Sequence, residues 1–520
     1  MKDHTQRTLY RILTLAAVYA VLVFVMLKAE QTHPDASIRS VYDVVWYTLT
    51  TLTTVGYGDM YPVSTLGKVI GMIFMLLSLG FLALLVGLSV SFLKNRAVPL
   101  WYLRSAKGRR TALFNTCSAE AEVLAAALKA EKDPYITLFA GTEGKTSAAG
   151  MTTDLSVEEL LKHIKDTSRT SVFCLSRNEA ENRILARKLR DSGCSVYCES
   201  TYEPDRLPEH EHMFDVYSIC ARMYWNQYPL NDPAEKIVLI GSGMYAEALL
   251  EQGLIQNVCD PRQHVSYRCI GDFAHFCRNH PALDQICTLG SEDEHRDSII
   301  FSDVPWNDDL SLLREADRVI ICTDREEENL SIVTELFRYN AVRGTVYARV
   351  SVPVEGVTVF GSTEEIWTPE LITKASLNRM AVELNEIYRA QTGGKAAEWK
   401  DLSSFTRRSN LASADHLPVK VRILLPEEHG TEFSPDTYRK AYEVFRRTAG
   451  DERERLRMIE HERWVRFHLM NGWSYAPVRD NSARRHPLIV PYEQLSVSDR
   501  EKDDYAWEIL KVLSGNEHKA

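Results

Sequence analysis

The chain is poor in several features that would mark common functions. All ten cysteines fall between Cys117 and Cys322. Cys194 and Cys198 are closely spaced, and no second pair stands at zinc-ribbon distance. Neither a disulfide framework nor a zinc site is indicated, and reduced structural thiols are expected. Positive charge is in deficit: 61 Lys and Arg against 71 Asp and Glu leave a formal charge of -10. That balance argues against nucleic acid as a main partner. Low-complexity tracts are missing, so the 520 residues are available for folded domains. EF-hand spacing is missing too. Ser291-Glu292-Asp293-Glu294 and Asp324-Arg325-Glu326-Glu327-Glu328 offer carboxylates but no calcium-loop pattern. They read as solvated faces, with no metal site and no Ca²⁺ ligand expected.

Charge itself is absent from two long runs, Ile12 to Leu27 and Val69 to Leu93. With Leu9 and Tyr10 added, and Arg11 snorkelling, the first is long enough to cross a bilayer; the second is longer still. A secretion signal would need a small-residue cleavage site, which Leu27-Lys28-Ala29-Glu30 does not supply, and would leave the second run unexplained. Two spans are expected. Lys2, Arg7 and Arg11 precede the first; Lys94, Arg96, Arg104, Lys107, Arg109 and Arg110 follow the second. The positive-inside rule then puts both termini and the long C-terminal part in the cytoplasm of a multi-pass inner-membrane protein.

Between the runs lie a short helical segment, Val41 to Leu52, and the stretch TTVGYGDMYP, Thr53 to Pro62. Irregular backbone at membrane depth survives only where protein buries it or where it lines a watery cavity. Gly56 and Gly58 permit backbone angles that let successive carbonyls face one side. The carbonyls of Thr54, Val55, Gly56 and Tyr57, with the Thr54 hydroxyl, are then able to replace water around a cation. One chain supplies one wall.

Thr54-Val55-Gly56-Tyr57-Gly58 is the filter sequence of potassium channels. Residues 9 to 93 resemble their two-helix pore of outer helix, pore helix, filter and inner helix. The resemblance implies a homotetramer in the lipid bilayer that prefers K⁺ to Na⁺. It also implies that Tyr57 packs on Trp46 and Tyr47, and that Trp46 bonds Asp59. Thr50 stands where some relatives carry a carboxylate, so no acidic pair with Asp59 is formed. Gly80, with Ser78 near it, is either a gate hinge or a point of close helix packing.

From Arg110 onward, short β-rich runs alternate with amphipathic helices. A series from Thr111 to Cys198 is followed by a second from Lys236 to Val350, a degenerate repeat that predicts parallel sheets. Gly241-x-Gly243-x-x-Ala246 follows a strand and opens a helix, as a dinucleotide fingerprint does. Asp272 is the acid expected to hold a ribose, with Asp260 its rival. Phosphate binding and tight helix–strand packing both account for these glycines. The first series has Asn115-Thr116-Cys117-Ser118 at this turn and reads as mainly structural. Residues 108 to 360 resemble tandem RCK domains, the Rossmann-like regulators of potassium conductance. Eight such units would form a ring that pulls on the inner helices through Lys94 to Arg104.

The C-terminal part is helical. Its blocks His461-Glu462-Arg463-Trp464, Gly472-Trp473-Ser474-Tyr475 and His486 to Leu495 resemble the RyR domain, the ryanodine receptor repeat. Trp464, Trp473, Tyr475 and Tyr492, with Arg463, Arg484 or Arg485, would either line a nucleotide-stacking cleft or build a small core.

The expected architecture is a membrane α-helical pore followed by α/β domains and a small helical domain. Its parts are a pore at 1–96, a linker at 97–110, α/β domains at 111–230 and 231–365, a helical extension and linker at 366–433, and a RyR domain at 434–520. The clearest linker sequence runs from Thr392 to Leu417. The expected function is a ligand-gated potassium channel rather than an enzyme, with a nucleotide-type small molecule as ligand. The alternatives are a membrane-anchored NAD-dependent oxidoreductase, or a channel gated by Ca²⁺ or a protein partner.

Overall fold

The computed structural model describes residues 2–105, 108–142, 145–206, 208–288, 296–339, 342–391, 393 and 395–515, without the side chains of 2–13, 15, 16, 78, 79 and 81. The first acidic run, Ser291 to Glu294, therefore lies outside the described residues. The chain divides into two compact units. One is Met1–Ser105 with Thr153–Leu155; the other is Ala106–Thr152 with Ser156–Ala520.

In the first unit, α1 (Lys2–Gln31) and α3 (Thr65–Phe92) flank the short α2 (Val41–Leu52). A capping box starts α2: Ser40 Oγ accepts from Asp43 N and Asp43 Oδ2 accepts from Ser40 N. Val23, Met26, Ile38, Val44, Ile70 and Phe74 form the shared core. α3 runs unbroken through Gly80, whose missing Cβ would meet open space. Among the described residues no close packing holds that glycine, and Ser78 falls among the side chains not described. The irregularity lies further on, in a π-turn at Leu93–Ala97 that leads into α4 (Val98–Ser105). The expected linker is therefore helical up to Ser105. Thr65–Ser105 forms a continuous 41-residue helix, long and apolar enough to cross a membrane.

The far end of α1 carries a device with no sequence signature. Glu30 is fully buried, and its carboxylate accepts from Val63 N, Ser64 N and Ser64 Oγ at 2.9, 3.0 and 2.5 Å. It thereby anchors the start of α3, where backbone N–H groups otherwise lack partners. Gly67 must be glycine here, because a Cβ would fall on the Glu30 carboxylate.

The second unit holds two six-stranded sheets, parallel throughout. The first is built from β1 (Thr111–Phe114), β2 (Ile136–Phe139), β3 (Met151–Thr152), β4 (Thr170–Cys174), β5 (Ser195–Glu199) and β6 (Glu211–Phe214), in the order 3-2-1-4-5-6. The second is built from β7 (Lys236–Ile240), β8 (Ser266–Ile270), β9 (Ser298–Ser302), β10 (Arg318–Ile321), β11 (Thr345–Ala348) and β12 (Val357–Val359), in the equivalent order 9-8-7-10-11-12. Both are doubly wound Rossmann-type sheets whose strand order reverses between β1 and β4, or β7 and β10. Strands β1, β2 and β4 are buried along their whole length, as sheets covered on both faces require. Phe139, Phe114, Phe173 and Tyr197 stack across β2, β1, β4 and β5 at centroid spacings of 5.1, 4.8 and 5.1 Å.

The expected linker from Thr392 to Leu417 is not a loose connector. It contains a helix, Ser404–Asp415, whose Arg407 is fully buried. The guanidinium is held by Glu203 and by the carbonyls of Pro204, Asp205 and Leu402. A buried charge stays buried only when so paired, and this one fastens the segment to the first α/β domain.

Replacing Glu30 with Gln leaves one carbonyl facing three donors. The expected cost is about 1–3 kcal/mol, read as a lower unfolding temperature of the purified protein in detergent. An unchanged melt would show that Glu30 anchors nothing.

Candidate functional site

The filter backbone alternates in handedness. Thr54, Gly56 and Gly58 sit at φ of 61, 53 and 72°, while Val55 and Tyr57 stay at negative φ. Alternation of this kind turns successive carbonyls to the same side. For Thr54, a β-branched residue, the left-handed region is strained by about 1–3 kcal/mol, so its surroundings must impose it. They do so from the end of α2. The Thr50 carbonyl accepts from both Val55 N and Gly56 N, at 2.9 and 3.0 Å. Among the described residues no donor reaches the carbonyls of Thr54, Val55, Gly56 or Tyr57. The donors are tied back and the acceptors are left free.

The brace on the other side is as the resemblance implied in one half only. Trp46 Nε1 donates to Asp59 Oδ2 at 2.9 Å, and the Trp46 and Tyr57 rings stack 5.9 Å apart at 9°. Tyr47 does not join them within the chain. It is buried against Val44, Ile70 and Phe74, because its place on α2 faces the flanking helices.

The second feature is a cleft of about 1280 Å³ in the second unit, over the carboxyl ends of both sheets. Ligands of open α/β sheets enter such crevices. Its two halves carry the same wiring. After β4 runs Cys174-Leu175-Ser176-Arg177, and after β10 runs Cys322-Thr323-Asp324-Arg325. In the first half Asn182 accepts from Ser176 N and donates to Glu199 O; in the second Asn329 accepts from Thr323 N and donates to Arg349 O. Glu179 accepts from Ser200 Oγ as Glu326 does from Ser351 Oγ. Arg177 and Arg325, both on the wall, have no side-chain partner among the described residues. Tyr217 and Tyr245 add aromatic faces, meeting edge to face at 4.7 Å. Asp324 and Glu326 thus have structural tasks, and only Glu327 and Glu328 of that run remain the solvated face expected of it.

The fingerprint turn does not present an empty phosphate site. Asp324 places its carboxylate at the start of the helix Met244–Gln256, accepting from Met244 N at 3.3 Å and Tyr245 N at 3.2 Å. These are the donors that a phosphate would use. A Cβ at Gly243 would strike Asp324, and one at Gly241 would strike the Cys322 carbonyl. In this structure the glycines serve close packing, with Ala246 buried behind them. Asp272 accepts from Ala274 N in the turn that leads into the next helix, and lies off the cleft wall. Asp260 precedes β8 instead of ending it, and pairs with Arg455.

The C-terminal aromatics form no cleft of their own. Trp473 is buried against Phe405 and His468, and Tyr492 is buried with its hydroxyl on Glu454. Trp464 packs on His468 with ring centroids 3.8 Å apart and planes tilted by 36°. Arg463 is not at a rim. It is buried and bonded to Glu460, which also pairs with buried Lys420. A domain this small buries its large rings to obtain a core at all. Tyr475 and Arg485 are exposed. Arg484 alone lines the large cleft, with Asn471, whose carbonyl it bonds at 2.8 Å, and Met470 beside it. The helix Asp451–Met470 is locked to the second α/β domain by Arg466, buried and bonded to Asp297 at 2.7 Å.

Acids crowd the first half of the cleft. Burial and the nearby carboxylates of Glu120, Asp215 and Glu179 push Glu199 up to about 7; burial pushes Asp215 up to about 6. Among the described residues no group of three or more His, Cys, Asp or Glu has the geometry to hold a metal.

Two outcomes follow. A folded-state value above the unfolded one means Glu199 binds more protons when folded. Stability from this group is therefore lost as pH rises from 4.5 towards 7, and Glu199→Gln should flatten that slope in thermal melts of the full-length protein. Asp324→Asn removes the resident charge, so ADP titrated onto the full-length protein should bind about tenfold tighter or better. Equal affinity would show that Asp324 does not exclude phosphate.

Comparison with known proteins agrees with these parts. Residues 11–95 match the ion channel family model, and residues 446–519 the RyR domain model. The chain is 45% identical over 64 residues to a voltage-gated potassium channel of Aeropyrum pernix, covering 12% of this chain and 22% of that one. It is 24% identical over 186 residues to the calcium-gated potassium channel TvoK of Thermoplasma volcanium, covering 34% and 52%. The chain thus spans 22% and 52% of these relatives' lengths. Solved structures of GsuK bound to ADP and of the GsuK channel bound to NAD align at 15% and 13% identity, each with a TM-score of 0.33. They cover 70% and 72% of this chain and 99% and 86% of theirs, a likeness too loose to bear on the sites. The chain carries an ion-channel segment, then two Rossmann-like parallel-sheet domains, then a RyR domain.

Proposed function

We propose that the chain is one subunit of a homotetrameric, potassium-selective channel of the inner membrane. Both termini are cytoplasmic, and a nucleotide-type ligand in the large cleft gates it. The observation that carries the reading is the filter itself: donors tied to α2, four successive carbonyls without donors, and Tyr57 braced on Trp46. Four copies around one axis replace the hydration shell of K⁺ by carbonyl oxygens.

The cleft supports the ligand class. Arg177 and Arg325 are uncommitted cations for phosphate, and Tyr217 and Tyr245 are faces for a base. Asp324 directs phosphate away from the fingerprint turn and towards these arginines. The RyR domain contributes Asn471 and Arg484 to the same wall, so one ligand is in reach of both α/β domains and the C-terminal module.

Transmission runs through the π-turn. The chain leaves the first sheet at β3, packs Thr153–Leu155 with the pore unit, and returns at Ser156. Thr153 Oγ1 donates to the Asn95 carbonyl at 2.6 Å, and Asp154 N reaches the same oxygen at 3.3 Å. A ligand that binds the open and closed arrangements unequally shifts the gate through this connection.

The test is ⁸⁶Rb⁺ flux into liposomes containing the full-length protein, with Na⁺ as competitor and NAD(H), ADP, ATP, cyclic nucleotides and Ca²⁺ as ligands. K⁺-selective flux altered by a nucleotide is expected. Arg177→Gln with Arg325→Gln should weaken that response at least about tenfold. Thr153→Val should keep basal flux while losing most of a coupling of about 1–3 kcal/mol. Equal Na⁺ permeation, or NADH turnover without flux, would overturn the reading.

A further inference from the structure

Beyond ligand gating, the RyR domain holds a buried imidazole and carboxyl whose hydrogen bonds leave a place for one proton. His461, on the helix Asp451–Met470, has its Nε2 2.9 Å from the Val490 carbonyl. A carbonyl only accepts, so Nε2 carries a hydrogen, and the neutral ring presents a lone pair at Nδ1. That atom faces Asp503 Oδ2, on the turn Glu501–Asp504, at 3.8 Å. The Asp503 side chain is 16% exposed, and Oδ2 itself is buried with no hydrogen-bond partner among the described residues. An ionised carboxylate here points at a lone pair, with no donor to offset its burial. The surrounding charges do not supply one. Glu460 takes Arg463 at 2.6 Å and Lys420, from the helix Leu417–Leu424, at 2.8 Å. Asp504 takes Arg457 at 2.6 Å and Arg453 at 3.6 Å, and Lys502 pairs with Asp499. His416, kept neutral by burial, donates to the Val258 carbonyl. Exposed Glu493 adds one more negative charge near the ring.

We propose that Asp503 and His461 share one proton, which fastens the helix Tyr505–Gly515 to the helix Asp451–Met470 as a pH-sensitive latch. A protonated Asp503 offers the O–H donor that Nδ1 lacks, and a shift of about 1 Å brings the pair to hydrogen-bond distance. Trp507, buried at the start of the latched helix, then keeps its bond to the Leu456 carbonyl at 3.0 Å. Burial and the Glu460 carboxylate push Asp503 up to about 8. It therefore binds its proton more tightly folded than unfolded, and the stability it gives is lost as pH rises from the ordinary 3.8 towards 8. Burial holds His461 below its ordinary 6.5, which acts in the opposite sense but only as pH falls through that value. Above it the Asp503 effect stands alone in this pair. The helix that carries His461 ends at Met470 on the wall of the large cleft, so the latch brings pH to an element that lines the cleft.

The test is hydrogen exchange read by mass spectrometry on the full-length protein, with rates corrected for the intrinsic pH dependence of exchange. No ligand is added, so the outcome is separate from that of the flux experiment. Between pH 6.5 and 7.5 the amides of Tyr505–Gly515 should lose about tenfold in protection relative to the Asp503→Asn variant, since one proton is worth about a factor of ten per pH unit. In that variant the side-chain amide donates to Nδ1 at every pH. Its protection should be the higher at pH 7.5, and the gap should narrow as pH falls. Protection of this helix that does not change with pH in the unsubstituted protein overturns the proposal, whatever the variant does. An Asp503→Asn protein with the same pH profile overturns it too. So does an equal loss in the helix Glu326–Arg338, which would mean that the whole unit loosens and no latch opens.

Discussion

A strand of backbone that leaves its carbonyls unbonded at membrane depth is costly, and the pore unit is organised around making one stand. Each free carbonyl forgoes a hydrogen bond that buried backbone otherwise always finds. The protein fixes the donors of the same segment first. Thr50 O takes two of them, Trp46 holds Asp59 beyond the filter, and Glu30 anchors the stretch from Val63 to Ser64. With both ends pinned, Thr54 is held in a conformation its side chain resists. The free acceptors are then ready for a cation instead of being frayed by water.

The second unit follows a different logic, one strand frame repeated with different tips. Both sheets keep the strand order and the asparagine that ties β4 to β5, or β10 to β11. The side chains above those ties differ. Where the second half has the cation Arg349, the first half has Glu199, a carboxyl held near neutrality by burial and by its acidic neighbours. One wall is acidic and crowded, and the other carries an acid already satisfied by helix N–H groups. A ligand in this cleft meets two chemically distinct halves on one repeated frame.

Much of this was legible in the sequence. Uncharged runs mark α3, the filter pentad marks the pore, and α2 begins and ends where its pattern predicts. Central strands were legible because they are buried on both faces and read as continuous apolar runs. Strands β3, β6, β9 and β12 were not, because at or near the sheet edges they are only partly buried and lack that run. The fingerprint glycines were visible, but Asp324 stands about 80 residues away, beyond what a local motif can report. The same holds for Glu30 at Val63 and Thr153 at Asn95. The aromatic blocks of the RyR domain were found in order, yet composition does not separate a stacking cleft from a core. Burial of Trp473 and Tyr492 decided for the core.

The coupling proposed through Asn95 would be adequate in magnitude. Moving a gate from one part open in a hundred to nearly fully open takes about 5.5 kcal/mol of differential binding. Shared over the four subunits of the proposed tetramer, that is about 1.4 kcal/mol each, within the usual range of allosteric coupling. A single side-chain hydrogen bond contributes about 0.5–1.5 kcal/mol net. One Thr153–Asn95 bond per subunit, made in one state and lost in the other, therefore matches what each subunit must deliver. A large interface would overshoot and lock the gate.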